Sequence, residues 1–310
     1  MIQHDYDRLR DRWAAVRAHM EAGDEKNTIH GRRLHRNWNL FKVGLVGFEM
    51  FLRATGLYRR GVRNALDIEL REIVLELDGL PAAFDGYRIL QISDPHLDAL
   101  PEFAGRVASL VSSASIDLCV LTGDYRFRVH GPFDRVRDAF DRVLPAIDAA
   151  DGTFAILGNH DSVEMIPMFE KRGVRVLVNQ TISLTRGDAL LHITGVDDAY
   201  YYYTEHATAA LHNAPGGFRI ALAHSPDLAP RAAEAGVDLY LTGHTHGGQV
   251  CLPGGWPVFT HSLADKRFTS GLWRHGTMTG YTSRGAGCSG LPVRFNCRGE
   301  ITVFTLRNGR

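Results

Sequence analysis

The chain has 310 residues, 45% of them hydrophobic, enough to bury a sizeable core in one large domain with an extension. Its 35 Lys/Arg and 35 Asp/Glu balance, but unevenly: residues 1–66 hold 13 basic against 7 acidic side chains, a net of +6, which leaves the remainder at −6. An acidic main body is a poor match to a phosphate backbone, so no nucleic acid is expected as a partner, and four cysteines (Cys119, Cys251, Cys288, Cys297) without CxxC spacing give no basis for a zinc ribbon or a disulfide framework. Cys119 lies in an apolar run and reads as a small buried hydrophobe. No basic stretch leads into an apolar one at the N-terminus, so no secretory signal is expected and a cytoplasmic location follows.

Residues 1–66 read as a basic helical extension. Tyr6, Leu9, Trp13, Val16 and Met20 step by three and four, the spacing of an amphipathic helix. In 38–58 a second helix places Phe41, Leu45, Phe48 and Leu52 on one stripe and Lys42, Glu49 and Arg53 on a narrow polar edge. Arg32, Arg33 and Arg36 precede it, and Arg59, Arg60 and Arg63 follow. Three charges and two glycines argue against a membrane-spanning helix, which needs about 20 mostly uncharged residues. The segment either lies in the headgroup layer of an anionic membrane, with the protein peripheral on the inner face of the cell membrane, or packs on the main domain or a second copy.

From Tyr87 onward strand-like and helix-like runs alternate, which favours a sheet with helices on its faces. Strands are expected at 87–92, 118–121, 154–157, 220–223, 239–241, 281–284 and 301–306, and helices near 101–112, 132–149 and 163–172. Five short segments rich in metal-binding side chains mostly follow such strands: Asp94-Pro95-His96, Gly123-Asp124, Gly158-Asn159-His160-Asp161, His224, and Gly243-His244-Thr245-His246. Strand carboxyl ends form one edge of an open α/β sheet, where ligands bind. Carboxylate, imidazole and amide oxygens gathered there suit borderline divalent metals, and bare convergence of so many polar groups would be costly to desolvate. Pro95 biases Asp94 toward an extended backbone.

The order D-x-H, GD, GNH[DE], a lone H and GHxH resembles the calcineurin-like metallophosphoesterases over roughly residues 87–306. Within that superfamily, the opening FDGYRILQISDPHLD and the later GAGCSGLPVRF are similar to the bacterial membrane-associated, YkuE-like phosphodiesterase branch. The resemblance implies a four-layer αββα sandwich of two mixed β-sheets in residues 67–310. It implies two divalent ions; for an oxygen-and-imidazole site in the cytoplasm Mn is preferred, with Fe, Zn, Co or Ni as alternatives. Asp94, His96 and His246 would bind the first, Asn159, His224 and His244 the second, and Asp124 would bridge them. It implies in-line attack of a metal-bound hydroxide on phosphorus, with His160 as proton donor or phosphate contact. Many relatives place an Asp three residues after the GD aspartate to orient that His; here the position is Phe127, so Asp161 or another group must do so.

Arg126 and Arg128, close to Asp124, either grip a substrate phosphate or pair with surface acids such as Asp134. The run Tyr200 to Tyr203 either lines a pocket or buries one face of a local element. The resemblance implies a dinuclear metal-dependent phosphoesterase that cleaves a phosphodiester or pyrophosphate, in a lipid-linked substrate such as a UDP-diacylglucosamine-like compound. The alternative is a soluble nucleotide phosphodiesterase or phosphomonoesterase without a membrane role. A non-catalytic module on the same fold should have lost ligands, and here the set is complete.

Overall fold

A computed structural model describes residues 2–23, 27–29, 38–260, 262 and 264–309. Arg32, Arg33 and Arg36 fall outside the described residues, as do the side chains of Tyr6, Leu9, Phe41 and Lys42. Three helices come first: α1 (Ile2–Ala22), α2 (Trp38–Ala54) and α3 (Leu57–Leu66). The next elements are β1 (Glu69–Asp78), β2 (Arg88–Ile92), α4 (Phe103–Val111), β3 (Leu118–Leu121), α5 (Asp134–Val143), β4 (Thr153–Ala155), α6 (Ile166–Glu170) and β5 (Val174–Val176). They are followed by β6 (Gln180–Arg186), β7 (Ala189–Gly195), α7 (Glu205–His212), β8 (Phe218–Leu222), α8 (Ala229–Glu234) and β9 (Leu239–Thr242). The chain closes with a small hairpin, β10 (Cys251–Leu252) and β11 (Trp256–Pro257), then β12 (Gly271–His275), β13 (Met278–Thr282) and β14 (Glu300–Gly309).

The expected helices at 132–149 and 163–172 are shorter than their apolar patterns. Pro145 lacks the amide that α5 would need to continue, so the chain tightens into one 3-10 turn over Leu144–Ala146. Pro167 begins α6 in the first turn, where its missing amide costs nothing, after a separate 3-10 turn over Val163–Met165.

Two six-stranded sheets stand face to face, in the orders β1-β14-β2-β3-β4-β5 and β12-β13-β9-β8-β7-β6. Each has a parallel centre of βα units, β2 to β5 in one and β7, β8, β9 and β13 in the other. Antiparallel pairing enters where connections are short or the chain returns: β14 on β2, β6 on β7, and β12 on β13. Strand period divides the apolar residues between layers. Ile89 of β2 faces the opposite sheet with Leu118, Ile193, Ile220, Leu241 and Phe304, whereas Leu90 and Ile92 face α4, α5 and α6 with Val107, Phe140 and Phe169. A third cluster seats α7 and α8 on the outer face of the second sheet through Ala207, Leu211, Ala229 and Tyr240. The result is the four-layer αββα sandwich. One polar residue crosses the inner layer: Gln91 donates its amide to the Thr242 carbonyl and to Thr122 Oγ1, both at 3.1 Å, and ties the carboxyl ends of the two sheets together.

Outside these layers, Leu45, Phe48 and Leu52 of α2 pack on Leu291, Val293 and Phe295. Of the stripe that sequence placed either in the headgroup layer or against the main domain or a second copy, Leu45, Phe48 and Leu52 therefore lie on the body of the protein. The opposite face of α2 is also apolar, with Val43, Val46, Met50 and Phe51 exposed. Among the described residues no helix is long and apolar enough to cross a membrane.

Phe304 is fully buried between the sheets and meets Tyr281 edge-on at 5.1 Å. Phe304→Ala is expected to lower stability by about 3–5 kcal/mol in chemical denaturation, from lost transfer energy plus the cavity left behind. A loss below about 1 kcal/mol would mean that the inter-sheet layer repacks freely.

Candidate metal centre

The five segments leave the carboxyl ends of five strands in both sheets. Asp94 and His96 follow β2, Asp124 follows β3, Asn159 and His160 follow β4, His224 follows β8, and His244 and His246 follow β9. Backbone hydrogen bonds lace the loops together. The Asp94 amide donates to the Gly123 carbonyl at 2.9 Å, the His96 amide to Asp124 at 3.1 Å, and the Gly243 amide to His224 at 2.9 Å.

So tight a gathering needs unusual backbone. Among the described residues eight non-glycine positions have positive φ, and five of them are Asp94, His96, Asp124, His244 and His246. Such conformations cost on the order of 1–3 kcal/mol each and persist only where the surroundings over-determine them. Asp94, expected to be extended before Pro95, has φ 48° instead. Its amide bond to Gly123 and its carboxylate, which accepts from the His244 amide at 3.0 and 3.1 Å, outweigh the local bias of the proline. The glycines that precede the ligating side chains have a steric reason. A Cβ on Gly158 would fall on the Asp124 carboxylate, and one on Gly243 on Ser93 and Asp94.

All seven expected metal ligands converge. On one side, Asp94 Oδ1 lies 3.5 Å from His246 Nε2, which lies 3.2 Å from His96 Nε2. On the other, His224 Nε2 is 3.1 Å from Asn159 Oδ1 and 3.3 Å from His244 Nδ1. Asp124 stands between them, its Oδ2 3.3 Å from His224 Nε2, 3.8 Å from His96 Nε2 and 3.9 Å from His160 Nε2. Donor atoms within 4.8 Å of one another form the sets Asp94/His96/His246, Asp124/His224/His244 and His96/Asp124/His160.

Two of the remote ring nitrogens are tied to backbone carbonyls. His96 Nδ1 meets the Arg126 carbonyl at 2.7 Å and His224 Nδ1 the Thr122 carbonyl at 2.9 Å. A donated N–H on that side leaves the Nε2 lone pair for the centre, the usual arrangement of a ligating imidazole. Without cations, burial pushes the Asp94 carboxyl up to about 7 and His96 down to about 3. Burial also opposes charge on Asp124, but His224, His160 and His96 hold its carboxyl well below the usual range. Buried nitrogens and oxygens that face one another at 3.2–3.5 Å fit cations placed among them.

His160 is oriented by a backbone group. Its Nδ1 lies 2.8 Å from the carbonyl of Phe127, the position where many relatives carry an Asp, so main chain replaces side chain. The Phe127 amide in turn donates to Asp98 at 2.6 Å. Asp161 serves another end: its carboxylate accepts from the amides of Asp124, Gly158 and Tyr125 at 2.7, 2.8 and 2.9 Å, which binds the GD and GNHD loops into one unit. The Arg126 guanidinium is buried and donates to the carbonyls of His160, Val129 and Gly131. Those bonds direct it at the chain and away from a phosphate. Arg128 is exposed, and Asp134 pairs with Arg137 instead.

Sequence reasoning missed several contributors. Arg294, fully buried, donates to the carbonyls of Arg284, Gly285 and Gly287 and lies 3.4 Å from His246 Nδ1. Tyr200 tilts over His244 at 4.1 Å, and the buried Tyr201 stacks on Tyr200. Arg17 of α1 reaches the carbonyls of Gly158 and Asp161. The GAGCSGLPVRF stretch around Arg294 and the run Tyr200 to Tyr203, read as lining a pocket or burying one face, were signals for two of these; nothing local marks Arg17.

Asp161→Ala removes the acceptor of three amides and is expected to weaken divalent-metal binding by about 10–100-fold in calorimetric titration, the usual size of an outer-shell loss. Unaltered binding would show that the two loops hold together without it.

The pattern of the calcineurin-like phosphoesterase family matches residues 87–248, from the start of β2 to the end of the His244–Gly248 loop. The chain is 33% identical over 251 residues to the uncharacterized metallophosphoesterase YkuE of Bacillus subtilis (strain 168), covering 78% of this chain and 86% of that one. It is 28% identical to YkoQ of the same organism, over 79% of this chain and 92% of the relative. It is 32% identical to the phosphodiesterase YaeI of Escherichia coli (strain K12), over 71% and 82%. With strands, loops and relatives in agreement, the chain belongs to the calcineurin-like metallophosphoesterases, in their YkuE-like branch, and is a metal-dependent phosphoester hydrolase.

Proposed function

We propose that the protein is a dinuclear phosphodiester or pyrophosphate hydrolase acting on a lipid-linked substrate at an anionic membrane surface. Asp94, His96 and His246 would hold one divalent cation, Asn159, His224 and His244 the other, with Asp124 placed to serve both. The observation that carries the reaction class is the position of the Asp124 carboxylate between two clusters of buried donors. Bound there, two divalent cations supply charge to the phosphoryl group in the transition state and acidify a water. Manganese is the preferred ion for an oxygen-and-imidazole set, with Fe, Zn, Co and Ni also compatible. His160, with Nδ1 anchored on Phe127 and Nε2 directed at the centre, protonates the leaving oxygen or contacts the phosphoryl group. The name of the Escherichia coli relative supports a diester.

Asp124→Ala should lose both metals and activity, whereas His160→Ala should keep its metals and lose roughly 10²-fold or more in turnover. If His160 is the proton donor, that loss shrinks with a nitrophenolate leaving group. An equal loss for good and poor leaving groups assigns it to charge stabilisation. Unchanged turnover in either variant removes that residue from the mechanism.

The membrane reading rests on the outer surface of α2 and its surroundings. Val43, Val46, Met50 and Phe51 of α2 are exposed, and so are Leu252, Trp256, Val258 and Phe259 in and beyond the β10–β11 hairpin, which springs from the His244–Gly248 loop. Val250, at the base of that hairpin, packs in the same cluster as Leu45 and Phe48. Where α2 turns into α3, a cavity of about 720 Å³ is lined by Arg53, Arg59, Arg60, Arg63 and Tyr58. Exposed apolar side chains beside clustered arginines suit acyl chains beneath anionic headgroups. The other reading, a soluble nucleotide phosphodiesterase or phosphomonoesterase, draws on the same centre and on the packing of Leu45, Phe48 and Leu52 against the body.

Sedimentation with vesicles decides between them. The full-length protein should bind vesicles of phosphatidylcholine with phosphatidylglycerol and ignore phosphatidylcholine alone. Salt should weaken that binding without abolishing it, because the apolar contribution is unscreened. Met50→Glu with Phe51→Glu should release the protein and lower hydrolysis of a bilayer-embedded diester while sparing a small chromogenic one. If the protein ignores both vesicles and hydrolyses nucleotides best, the soluble reading stands.

A further inference from the structure

We propose that α1 is a built-in part of the hydrolytic centre, with Arg17 as a positioning residue that fixes the loop carrying Asn159 and His160. The inference rests on the roles proposed above for those two residues. Helix α1 lies outside the span that matches the family, 87–248, yet its Arg17 is one of the most deeply buried side chains of the molecule, at 1% exposure.

Every described contact of that guanidinium is purposeful. Nη2 donates to the carbonyls of Gly158 and Asp161, both at 3.0 Å, the two residues that bracket Asn159 and His160. Nη1 donates to Asp197, and Nε donates to Glu21 at 2.7 Å. The face of the group lies 3.6 Å from the centre of the Tyr202 ring. Two further bonds hold the same arrangement. Trp13 Nε1 donates to the second Asp197 oxygen at 2.6 Å, and Glu21 accepts from the Val163 amide at 3.2 Å, just past the loop. Helix α1 therefore grips the loop at both ends, while Asp197, at the end of β7, anchors Arg17 to the second sheet.

A helix that merely decorates a surface does so with exposed pairs. Arg10 of α1 makes such a pair with Glu170 at the end of α6. Arg17 differs because it serves four acceptors together, two carbonyls and two carboxylates, from the fixed fork of its five N–H donors, more than the three donors of a lysine can reach. Removing it takes a donor from the buried Gly158 and Asp161 carbonyls and leaves the buried Asp197 carboxylate without its cation, with only Trp13 and the Asp198 amide as donors. The loop must then shift to regain partners, and Asn159 and His160 move with it.

The experiment uses the full-length chain with Arg17→Ala, Arg17→Lys, Trp13→Phe and, as controls, Arg10→Ala and Asp124→Ala. Circular dichroism gives the folded fraction, Mn²⁺ titration by calorimetry gives metal affinity, and a chromogenic diester gives kcat and KM. Arg17→Ala should bind the weaker Mn²⁺ about 10–100-fold less tightly and lose kcat by a similar factor, with KM within about three-fold, as expected when a group behind a ligand is lost. Free guanidinium should restore part of kcat in Arg17→Ala and none in Asp124→Ala. Arg17→Lys should rescue little, and Arg10→Ala should match the unaltered protein. If Arg17→Ala does not fold, Arg17→Lys and Trp13→Phe provide the same comparison. Per folded molecule, an unchanged kcat and unchanged Mn²⁺ affinity overturn the proposal, even with a lower Tm, and so does a loss confined to KM. Asp124→Ala that keeps both metals overturns the ligand assignment instead, and the kcat and guanidinium measurements then still judge Arg17.

Discussion

Asp124 occupies the point where the carboxyl edges of the two sheets meet, and most of the structure around it serves that placement. Its Oδ1 accepts from the His160 amide at 2.8 Å, while Oδ2 faces imidazoles delivered from β2, β4 and β8. A carboxylate at this depth is stable only amid donors or positive charge, and His224 beside it provides some. Divalent cations are a more complete answer, since they satisfy the lone pairs of every inward-facing group together. The centre is thus an electrostatic constraint as much as a catalytic one: strand order, Gln91 between the sheets and the lacing of the loops all hold a cluster that would otherwise relax away.

The backbone bears part of that cost. Asp94, His96, Asp124, His244 and His246 sit in the left-handed region without being glycine, and the amides of the first four are held there by hydrogen bonds to neighbouring loops. Asp161 secures three amides, Gly158 and Gly243 admit side chains where a Cβ would intrude, and the Gly285–Gly287 segment closes against Asp94, with the Gly287 amide donating to its carbonyl at 2.9 Å. Arg294 stabilises that segment from beneath by donating to its carbonyls. A strained first layer held by a rigid second layer is the general design of a preorganised metal site.

The first 66 residues divide into two physically different parts. Helix α1 contributes buried polar contacts, in which a guanidinium and an indole meet one aspartate. Helix α2 contributes apolar area, half of it committed to Leu291, Val293 and Phe295 and half facing outward. Gly61 of α3 makes the second docking close, for a Cβ there would meet Val293 at 2.7 Å. The arginines around the α2–α3 turn add charge beside the outward apolar face.

What sequence by itself determined was the chemistry. Ligand types, their order and their position after strand-like runs are local facts, because strand period and turn chemistry act over a few residues, and all seven expected ligands meet in one place. The expected strands were found within a few residues for the same reason. Tertiary structure decided the rest. The edge strands β1, β6 and β12 are half exposed and lack a continuous apolar run, so only pairing with β14, β7 and β13 defines them. His160 is oriented by a main-chain carbonyl, which any residue at position 127 would supply and no side-chain pattern reveals. Arg126 is engaged by the carbonyls of His160, Val129 and Gly131, in the loops folded over it. Arg17, indistinguishable in sequence from the arginines on the solvent side of its helix, becomes a buried clamp only because β7 brings Asp197 beneath it. Contacts between segments so distant along the chain are settled by packing and electrostatic complementarity, and no local periodicity encodes them.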